Sequence, residues 1–186
     1  LALDMKARGR LKNNTVVGTI MSNLGFIRFC EANDIRFSAT KVGDRYVLEE
    51  MLLEDYVFGG EQSGHIIFKD FATTGDGQLS AVQLLAHIHR SGKKLSELKT
   101  VMTKYPQLIV NIRTSDAAKL AFYTDDDVRA ILDEGKEKLG DRGRLVVRPS
   151  GTEPLIRIMA EGEDEAFTEA IARQVAERIE EKLKVY

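Results

Sequence analysis

Short apolar runs and helical apolar stripes alternate over the first half of the chain. Residues 15–20 are rich in β-branched side chains, as expected of a buried strand, and a helical stripe follows them. Three further strands are predicted at residues 35–40, 56–60 and 65–68, and two further helices after Gly43 and Gly75. The last of these helices is expected to turn Leu79, Val82 and Leu85 inward. Strands that alternate with helices indicate an α/β layered domain.

A break in this pattern begins at Gly92 and ends at Pro106, whose ring excludes another helical turn. Beyond it, Leu108, Val110 and Ile112 alternate with other residues, which predicts a half-buried strand in a second domain.

The remaining pattern completes this second domain. It predicts a helix that ends at Gly140, strands at residues 145–148 and 155–160, and a final helix with apolar positions from Phe167 to Leu183. Thr124 and Asp127 form the predicted capping pair of the first helix. We therefore expect a mixed α/β layered domain at residues 1–95 and a small α+β domain at residues 96–186.

Composition and charge narrow the function classes. The chain is 43% hydrophobic and 30% charged with a net charge of −2, as is ordinary for a globular protein. Without a basic cluster there is no electrostatic reason to expect a nucleic-acid or membrane partner. No apolar run approaches the roughly 20 residues of a membrane span. Cys30 is the only cysteine, which excludes an intrachain disulfide and makes the cytoplasm the expected compartment.

A glycine-rich segment at residues 59–65 combines tight turns with polar side chains. Glu61 accepts hydrogen bonds, Ser63 both donates and accepts them, and His65 donates them. This set suits the neighbouring hydroxyl groups of a sugar. A plain glycine turn with a structural serine and histidine explains the same residues equally well, so both interpretations stay open.

A second loop has the composition of a phosphate cradle. Arg148 offers a bidentate fork, the hydroxyl groups of Ser150 and Thr152 bind further oxygens, and Gly151 presents an unhindered N–H group. The alternative is a β-hairpin turn held by two prolines. Phosphate binding is favoured, because an arginine beside Ser-Gly-Thr is a costly way to make a turn.

Glu153 in the same loop cannot bind an anion itself. It is expected to orient an arginine, and Arg157 on the following strand is either that partner or a second phosphate ligand.

Together the loops resemble those of the α-D-phosphohexomutase superfamily. The segments EQSGH at 61–65 and RPSGTEP at 148–154 are similar to its sugar-binding and phosphate-binding loops. TKVGDRYV at 40–47 and TTGDG at 73–77 resemble its phosphoglucosamine mutase branch. The resemblance covers essentially the whole chain, in the right order and spacing. It implies that residues 1–95 are the third domain, cut at its N-terminal edge, and residues 96–186 the fourth.

The resemblance also assigns site residues. Sugar binding falls to Gly43, Asp44, Arg45, Glu61, Ser63 and His65, and phosphate binding to Arg148, Ser150, Gly151, Thr152, Glu153 and Arg157. Among the sugar-binding set, His65 and the Asp44–Arg45 turn are the expected determinants of sugar selection.

The whole enzyme implied by the resemblance has four domains around one cleft. A phosphoserine in the first domain donates its phosphoryl group, aspartates in the second hold Mg²⁺, and a bisphosphorylated sugar forms and reorients. The branch converts glucosamine 6-phosphate to glucosamine 1-phosphate, a precursor of UDP-N-acetylglucosamine and peptidoglycan. The implied partners are a phosphosugar and the first two domains, and the whole enzyme is either a monomer or a homodimer.

The donor serine and the metal loop of the superfamily are not found in this sequence. Its serine loop should read Ser-His-Asn, but Ser22 is followed directly by an asparagine. Asp76 stands alone as a helix-start residue, and residues 125–127 are consecutive first-turn carboxylates. His87 and His89 lie two apart on a helix and point to different faces. We therefore expect no catalytic residue and no metal ligand here, and an isolated chain that binds substrate without converting it.

Other interpretations use the same loops. The chain could be a fragment of a phosphomannomutase or phosphoglucomutase, or a stand-alone module that binds sugar phosphates. A purely structural domain is disfavoured, because scaffolding does not require convergent arginine, hydroxyl and carboxylate groups.

Overall fold

The computed structural model describes residues 1–186 as two compact units, residues 1–104 and residues 105–186. The division lies beyond the boundary expected after residue 95. A helical segment at residues 95–101 belongs to the first unit, where Leu98 and Val101 line a cavity together with Phe26. The break in the hydrophobic pattern at Gly92 therefore marks the end of a helix rather than the end of the unit. No helix is both long enough and apolar enough to cross a membrane.

The first unit is built on a four-stranded sheet in the order β2-β1-β3-β4. Strand β1 runs parallel to β2 and β3, and β4 runs antiparallel to β3. Its elements are α1 (Ala2–Ala7), β1 (Thr15–Thr19), α2 (Leu24–Ala32), β2 (Arg36–Thr40), α3 (Asp44–Leu53), β3 (Phe58–Gly60), β4 (Ile66–Phe68), α4 (Gly77–Ser91) and α5 (Leu95–Leu98). The predicted α/β layered class is confirmed, with β3 and β4 shorter than expected.

Helices cover both faces of this sheet, as the side chains of β1 show by packing on different helices. Successive side chains of a strand point to opposite faces. Val16 packs in one apolar cluster with Cys30 of α2, whereas Val17 packs in another with Val47 and Met51 of α3. Because both faces are covered, β1 is buried at every position, which explains why four of its five residues are β-branched. Burial raises the pKa of the Cys30 thiol to about 11, as befits a core residue.

Helix α4 departs from the sequence prediction in one respect. It begins as expected, with the Asp76 carboxylate accepting a hydrogen bond from the Leu79 N–H at 2.9 Å. Leu79 packs against the core, but Val82 and Leu85 are 61% and 64% exposed. The expectation that Val82 and Leu85 face inward was wrong. Helical spacing shows which residues share a face, not whether another layer covers it.

The second unit is an antiparallel three-stranded sheet in the order β5-β7-β6, with helices packed on it. Its elements are β5 (Gln107–Arg113), α6 (Asp116–Thr124), α7 (Asp126–Leu139), β6 (Gly143–Pro149), β7 (Leu155–Gly162) and α8 (Glu165–Leu183). The predicted small α+β fold is confirmed. Alternate strand residues, among them Ile112, Ile156 and Ile158, join α7 and α8 in one buried core.

The connection from β5 to β6 holds two helices where one was predicted. Helix α6 begins after Ser115, whose hydroxyl accepts from the Ala118 N–H at 3.0 Å. The predicted cap of the next helix was also wrong. Thr124 ends α6, and the Asp125 carboxylate caps α7 by accepting from the N–H groups of Asp127 and Val128. A run of three aspartates hides which one is the cap, because each is a good capping residue.

Candidate functional site

The turn between β3 and β4 gathers the predicted sugar-binding side chains of the first unit. It is closed by backbone hydrogen bonds from the N–H of Glu61 to the carbonyl of His65, 2.8 Å, and from Gly64 to Glu61, 3.0 Å. The Ser63 hydroxyl lies 3.1 Å from Nδ1 of His65 and 3.5 Å from Oε2 of Glu61. Glu61, Ser63 and His65 therefore form one polar cluster, as expected from the sequence.

Glu61 also ties this turn to the loop between β2 and α3. Its Oε1 accepts from the N–H of Gly43 at 2.8 Å, where the backbone has a φ of +134° that favours glycine. The Glu61 side chain is only 9% exposed, whereas that of His65 is 55% exposed. The Glu61 carboxylate thus fixes two loops, and the imidazole is the more accessible group of the cluster.

The segment at residues 73–77 supports His65 from a third loop. A Cβ atom added to Gly75 would lie 3.1 Å from Cβ of His65, so the backbone of this segment contacts the histidine closely. The motif that resembled the phosphoglucosamine mutase branch therefore packs directly against the turn between β3 and β4.

The first turn of α3 does not complete this cluster. Asp44 accepts from the adjacent N–H of Arg45 at 2.9 Å, and the Arg45 guanidinium, 81% exposed, pairs with Glu49 at 2.8 Å. That hydrogen bond raises the pKa of Arg45. The structure brings Gly43 to the turn between β3 and β4 but shows no contact from the side chains of Asp44 or Arg45 to that turn.

A cavity of about 740 Å³ in the first unit touches the same loop. Glu61 and Gln62 contribute to its wall, but much of that wall is apolar and includes Phe26, Phe29 and Leu84. A sugar presents hydroxyl groups in several directions, and burying them against apolar walls would leave hydrogen bonds unmade. The polar cluster at the turn is therefore a better sugar site than the cavity.

In the second unit, the loop between β6 and β7 is organised around Ser150. The Ser150 N–H donates to the carbonyl of Leu155 at 2.8 Å, and its buried hydroxyl accepts from the Glu153 N–H at 3.2 Å. Gly151 and Thr152 lie between them and are exposed. Ser150 thus shapes the loop, while its tip presents N–H and hydroxyl groups to solvent.

Cationic side chains brace the same loop from outside it. Lys119 of α6 donates to the Glu153 carbonyl at 2.5 Å, and Nη2 of Arg157 lies 3.1 Å from Oε2 of Glu153. The pairing of Glu153 with Arg157 is the one expected from the sequence. Lys119 was missed, because it lies in a helix that the pattern did not predict and belongs to no motif.

Arg148, near the start of this loop, has a hydrogen-bond donor that is not satisfied. Its Nε–H is buried and has no hydrogen-bond partner, and an unpaired buried donor costs about 1–3 kcal/mol. Arg157 lies directly opposite it in the ladder between β6 and β7. Two like charges placed opposite each other destabilise a sheet, and a bound anion would relieve both penalties.

The residues of this chain do not fit a magnesium site. No group of three or more His, Cys, Asp or Glu side chains is placed to hold a metal ion. His87 lies 3.3 Å from Asp4, but Asp4 is already paired with Arg8 and Arg90. Burial alone would raise the pKa of Asp4, but hydrogen bonds from these two arginines outweigh it and lower that pKa. Magnesium prefers carboxylate and water oxygens in octahedral array, whereas the Asp4 carboxylate is already held by two arginines.

Two family models match the chain in order. "Phosphoglucomutase/phosphomannomutase, alpha/beta/alpha domain III" matches residues 1–105, and "Phosphoglucomutase/phosphomannomutase, C-terminal domain" matches residues 109–178. The phosphoglucosamine mutase of Caldanaerobacter subterraneus subsp. tengcongensis is 50% identical over 98% of this chain, which covers 41% of that protein. The phosphoglucosamine mutase of Brevibacillus brevis is also 50% identical over 98% of this chain, and the match covers 40% of that protein. The chain thus spans about two fifths of the curated relatives it matches.

Solved structures share the fold at low sequence identity. Aspergillus fumigatus N-acetylphosphoglucosamine mutase superposes with a TM-score of 0.81 at 18% identity, over 97% of this chain and 42% of that one. A phosphoglucomutase/phosphomannomutase family protein from Burkholderia thailandensis gives 0.76 at 18% identity, over 98% and 40%. With both family models matched and both units built as their domains III and IV require, the chain belongs to the phosphoglucomutase/phosphomannomutase family.

Proposed function

We propose that this chain is the sugar-binding and phosphate-binding part of a phosphoglucosamine mutase, an isomerase that interconverts glucosamine 6-phosphate and glucosamine 1-phosphate. The observation that carries the proposal is the 50% identity to curated phosphoglucosamine mutases over 182 residues, a span that includes both loops. The buried, unpaired Nε–H of Arg148 supports it independently, because a phosphate oxygen is a strong acceptor for that donor.

The loop of the second unit is proposed to grip the phosphate. Arg148 supplies the positive charge, and the N–H groups and hydroxyl of Gly151 and Thr152 supply hydrogen bonds at the exposed tip. Ser150 and Glu153 hold the loop in shape, as their internal hydrogen bonds indicate. If a bisphosphorylated sugar is the intermediate, this loop holds the phosphate that is not being transferred.

The cluster of the first unit is proposed to bind the sugar hydroxyl groups. His65 and Ser63 are exposed and able to form hydrogen bonds, while Glu61 holds the turn between β3 and β4 against the loop between β2 and α3. Enzymes that transfer phosphoryl groups accelerate the reaction chiefly by positioning and by stabilising charge. The residues of this chain serve the positioning.

We assign the donor phosphoserine and magnesium to the remainder of the enzyme, since the residues here fit neither. Aspergillus fumigatus N-acetylphosphoglucosamine mutase has been crystallised with GlcNAc-6P and magnesium, at a TM-score of 0.76 and 17% identity to this chain. The isolated chain is therefore expected to bind phosphosugars without interconverting them.

The test compares the isolated chain with the whole protein, with phosphorus NMR following both phosphosugars. The whole protein should interconvert the two glucosamine phosphates, and the chain alone should not. Faster conversion of mannose or glucose phosphates by the whole protein would favour the phosphomannomutase or phosphoglucomutase alternative. Turnover by the isolated chain, freed of contaminating mutase, would contradict the assignment of the donor phosphoserine and magnesium to the remainder of the enzyme.

A further inference from the structure

One row of side chains crosses all three strands of the second sheet. Asn111 of β5 is paired with Arg157 of β7, and Arg157 is paired with Arg148 of β6. Directly opposed residues in antiparallel strands project to the same face. The amide and the two guanidinium groups therefore lie side by side, next to the loop proposed to bind phosphate.

Arg157, in the middle of this row, is held at two points. Its Nε donates to Oδ1 of Asn111 at 3.2 Å, and its Nη2 lies 3.1 Å from Oε2 of Glu153. These contacts use two of the five N–H groups of a guanidinium. The others remain for a ligand, while the plane of the guanidinium is fixed from two sides.

The two contacts differ in what they do to the charge. Glu153 neutralises Arg157 as well as orienting it, whereas the Asn111 amide orients it without adding charge. Arg148 and Arg157 repel each other across the ladder, and a long side chain with one anchor can turn away from such a neighbour. The neutral amide of Asn111 is a second anchor that opposes this movement of Arg157 without reducing its positive charge.

We propose that Asn111 is a positioning residue of the phosphate site. By accepting from Nε of Arg157, it keeps that guanidinium beside Arg148, so that a phosphomonoester meets two neighbouring cations instead of one. This inference rests on the proposed function of the loop between β6 and β7. Asn111 belongs to no recognised motif, and only the strand register brings it to the site.

The experiment titrates the 186-residue chain with inorganic phosphate and with glucosamine 6-phosphate, following the amide resonances of Gly151 and Thr152 by NMR. Asn111→Ala is expected to weaken both ligands about 3–10-fold, the range for one charge-assisted contact made less well. Asn111→Val, which suits a strand, serves as a second variant and should weaken them similarly. The Nε–H resonance of Arg157 should shift in both variants before any ligand is added.

Gln107→Ala is the matched control. Gln107 is an amide on the same strand and the same face, and its side chain donates to Glu161 at 3.1 Å. Its removal should leave phosphate affinity and the Arg157 resonance unchanged. A loss of affinity equal to that of Asn111→Ala would show a general effect of weakening β5 and would overturn the proposal.

A double-mutant cycle with Arg157→Met tests whether Asn111 acts through Arg157. In that background, Asn111→Ala should cause no further loss, and an undiminished loss would overturn the proposal. Arg148→Ala separates this inference from the proposed function. If Arg148→Ala binds phosphate as well as wild type, the proposed function of the loop fails. If only Asn111→Ala binds like wild type, the loop keeps its function and the positioning role alone fails.

Discussion

The two units of this chain differ in the charge of the side chains that hold their candidate loops. In the first unit, the acidic side chain of Glu61 accepts a hydrogen bond from the backbone N–H of Gly43. The backbone conformation of Gly43 is one that favours glycine. In the second unit, basic side chains donate to the loop: Lys119 holds the Glu153 carbonyl and Arg157 holds its carboxylate.

This difference matches the chemistry of the proposed ligands. A phosphate dianion is best bound by charges that are fixed before it arrives, because they need no reorganisation on binding. Sugar hydroxyl groups are neutral and accept or donate in several directions, so exposed groups such as His65 and Ser63 suit them. The second unit is therefore expected to dominate affinity and the first to dominate selection.

The largest expected effect tests that dominance in the second unit. Arg148→Ala should weaken phosphosugar binding by about 2–4 kcal/mol, because a charge-assisted bidentate contact is lost. Ser150→Ala should weaken it by nearer to about 1 kcal/mol, since a neutral hydroxyl is removed. Calorimetric titration of both variants with glucosamine 6-phosphate measures the two losses. Equal, small losses would remove Arg148 from the site.

The next effect contrasts the backbones of the two loops. Gly43→Ala should lower the free energy of unfolding of the first unit by about 1–3 kcal/mol, because alanine is strained at a φ of +134°. Gly151→Ala in the phosphate loop is the matched control, as its φ is not positive and an added Cβ meets nothing within 4 Å. It should change stability by less than about 0.5 kcal/mol. Chemical denaturation followed by unit-specific resonances measures both, and equal costs would contradict the contrast.

Much of this contrast could be anticipated from the sequence, because the relevant side chains lie in contiguous motifs. The fold class, the glycine turn at residues 59–65 and the pairing of Glu153 with Arg157 follow from patterns that are local along the chain. Two confirmed element boundaries have a local cause: the carboxylate of Asp76 caps the start of α4, and a glycine follows Leu139 at the end of α7.

What could not be anticipated depends on register and on neighbouring layers. Lys119 contacts the loop between β6 and β7 from α6, and Asn111 contacts Arg157 beside that loop from β5, but nothing in their own segments indicates these contacts. The orientation of Val82 and Leu85 failed for a related reason, since periodicity does not report what covers a helix face. Long-range contacts set these positions, and a single sequence does not encode them as a pattern.

A smaller effect concerns the acidic anchor of the first unit. Glu61→Gln keeps an oxygen that can accept from Gly43, so it should reduce kcat/KM of the whole enzyme by about tenfold or less. Because Glu61 fixes the loops rather than recognising one hydroxyl group, kcat/KM for glucosamine and glucose phosphates should fall by similar factors. The ratio of kcat/KM for the two sugars measures this. A ratio that changes several-fold would make Glu61 a determinant of selection instead.

The smallest expected effect is the acid sensitivity of the second unit, which is expected at the pair of helices α7 and α8. Hydrogen bonds from Lys138 and Arg178 lower the pKa of Glu134 to about 2, from an ordinary value of 4.5. A carboxyl group whose pKa is depressed on folding stabilises the protein above its unfolded pKa, and the contribution disappears as pH falls through the folded value.

Wild type should therefore exceed Glu134→Gln in Tm at pH 6, and the difference should vanish between about pH 4.5 and pH 2. Since these are surface pairs, the difference should not exceed about 3 °C. Lys136→Gln is the control, because Lys136 lies on the same helix and pairs with Asp133. Resonances of α7 and α8, followed during thermal unfolding at each pH, assign the change to this unit. A Tm difference that persists unchanged at about pH 2 would show that Glu134 acts through packing rather than charge.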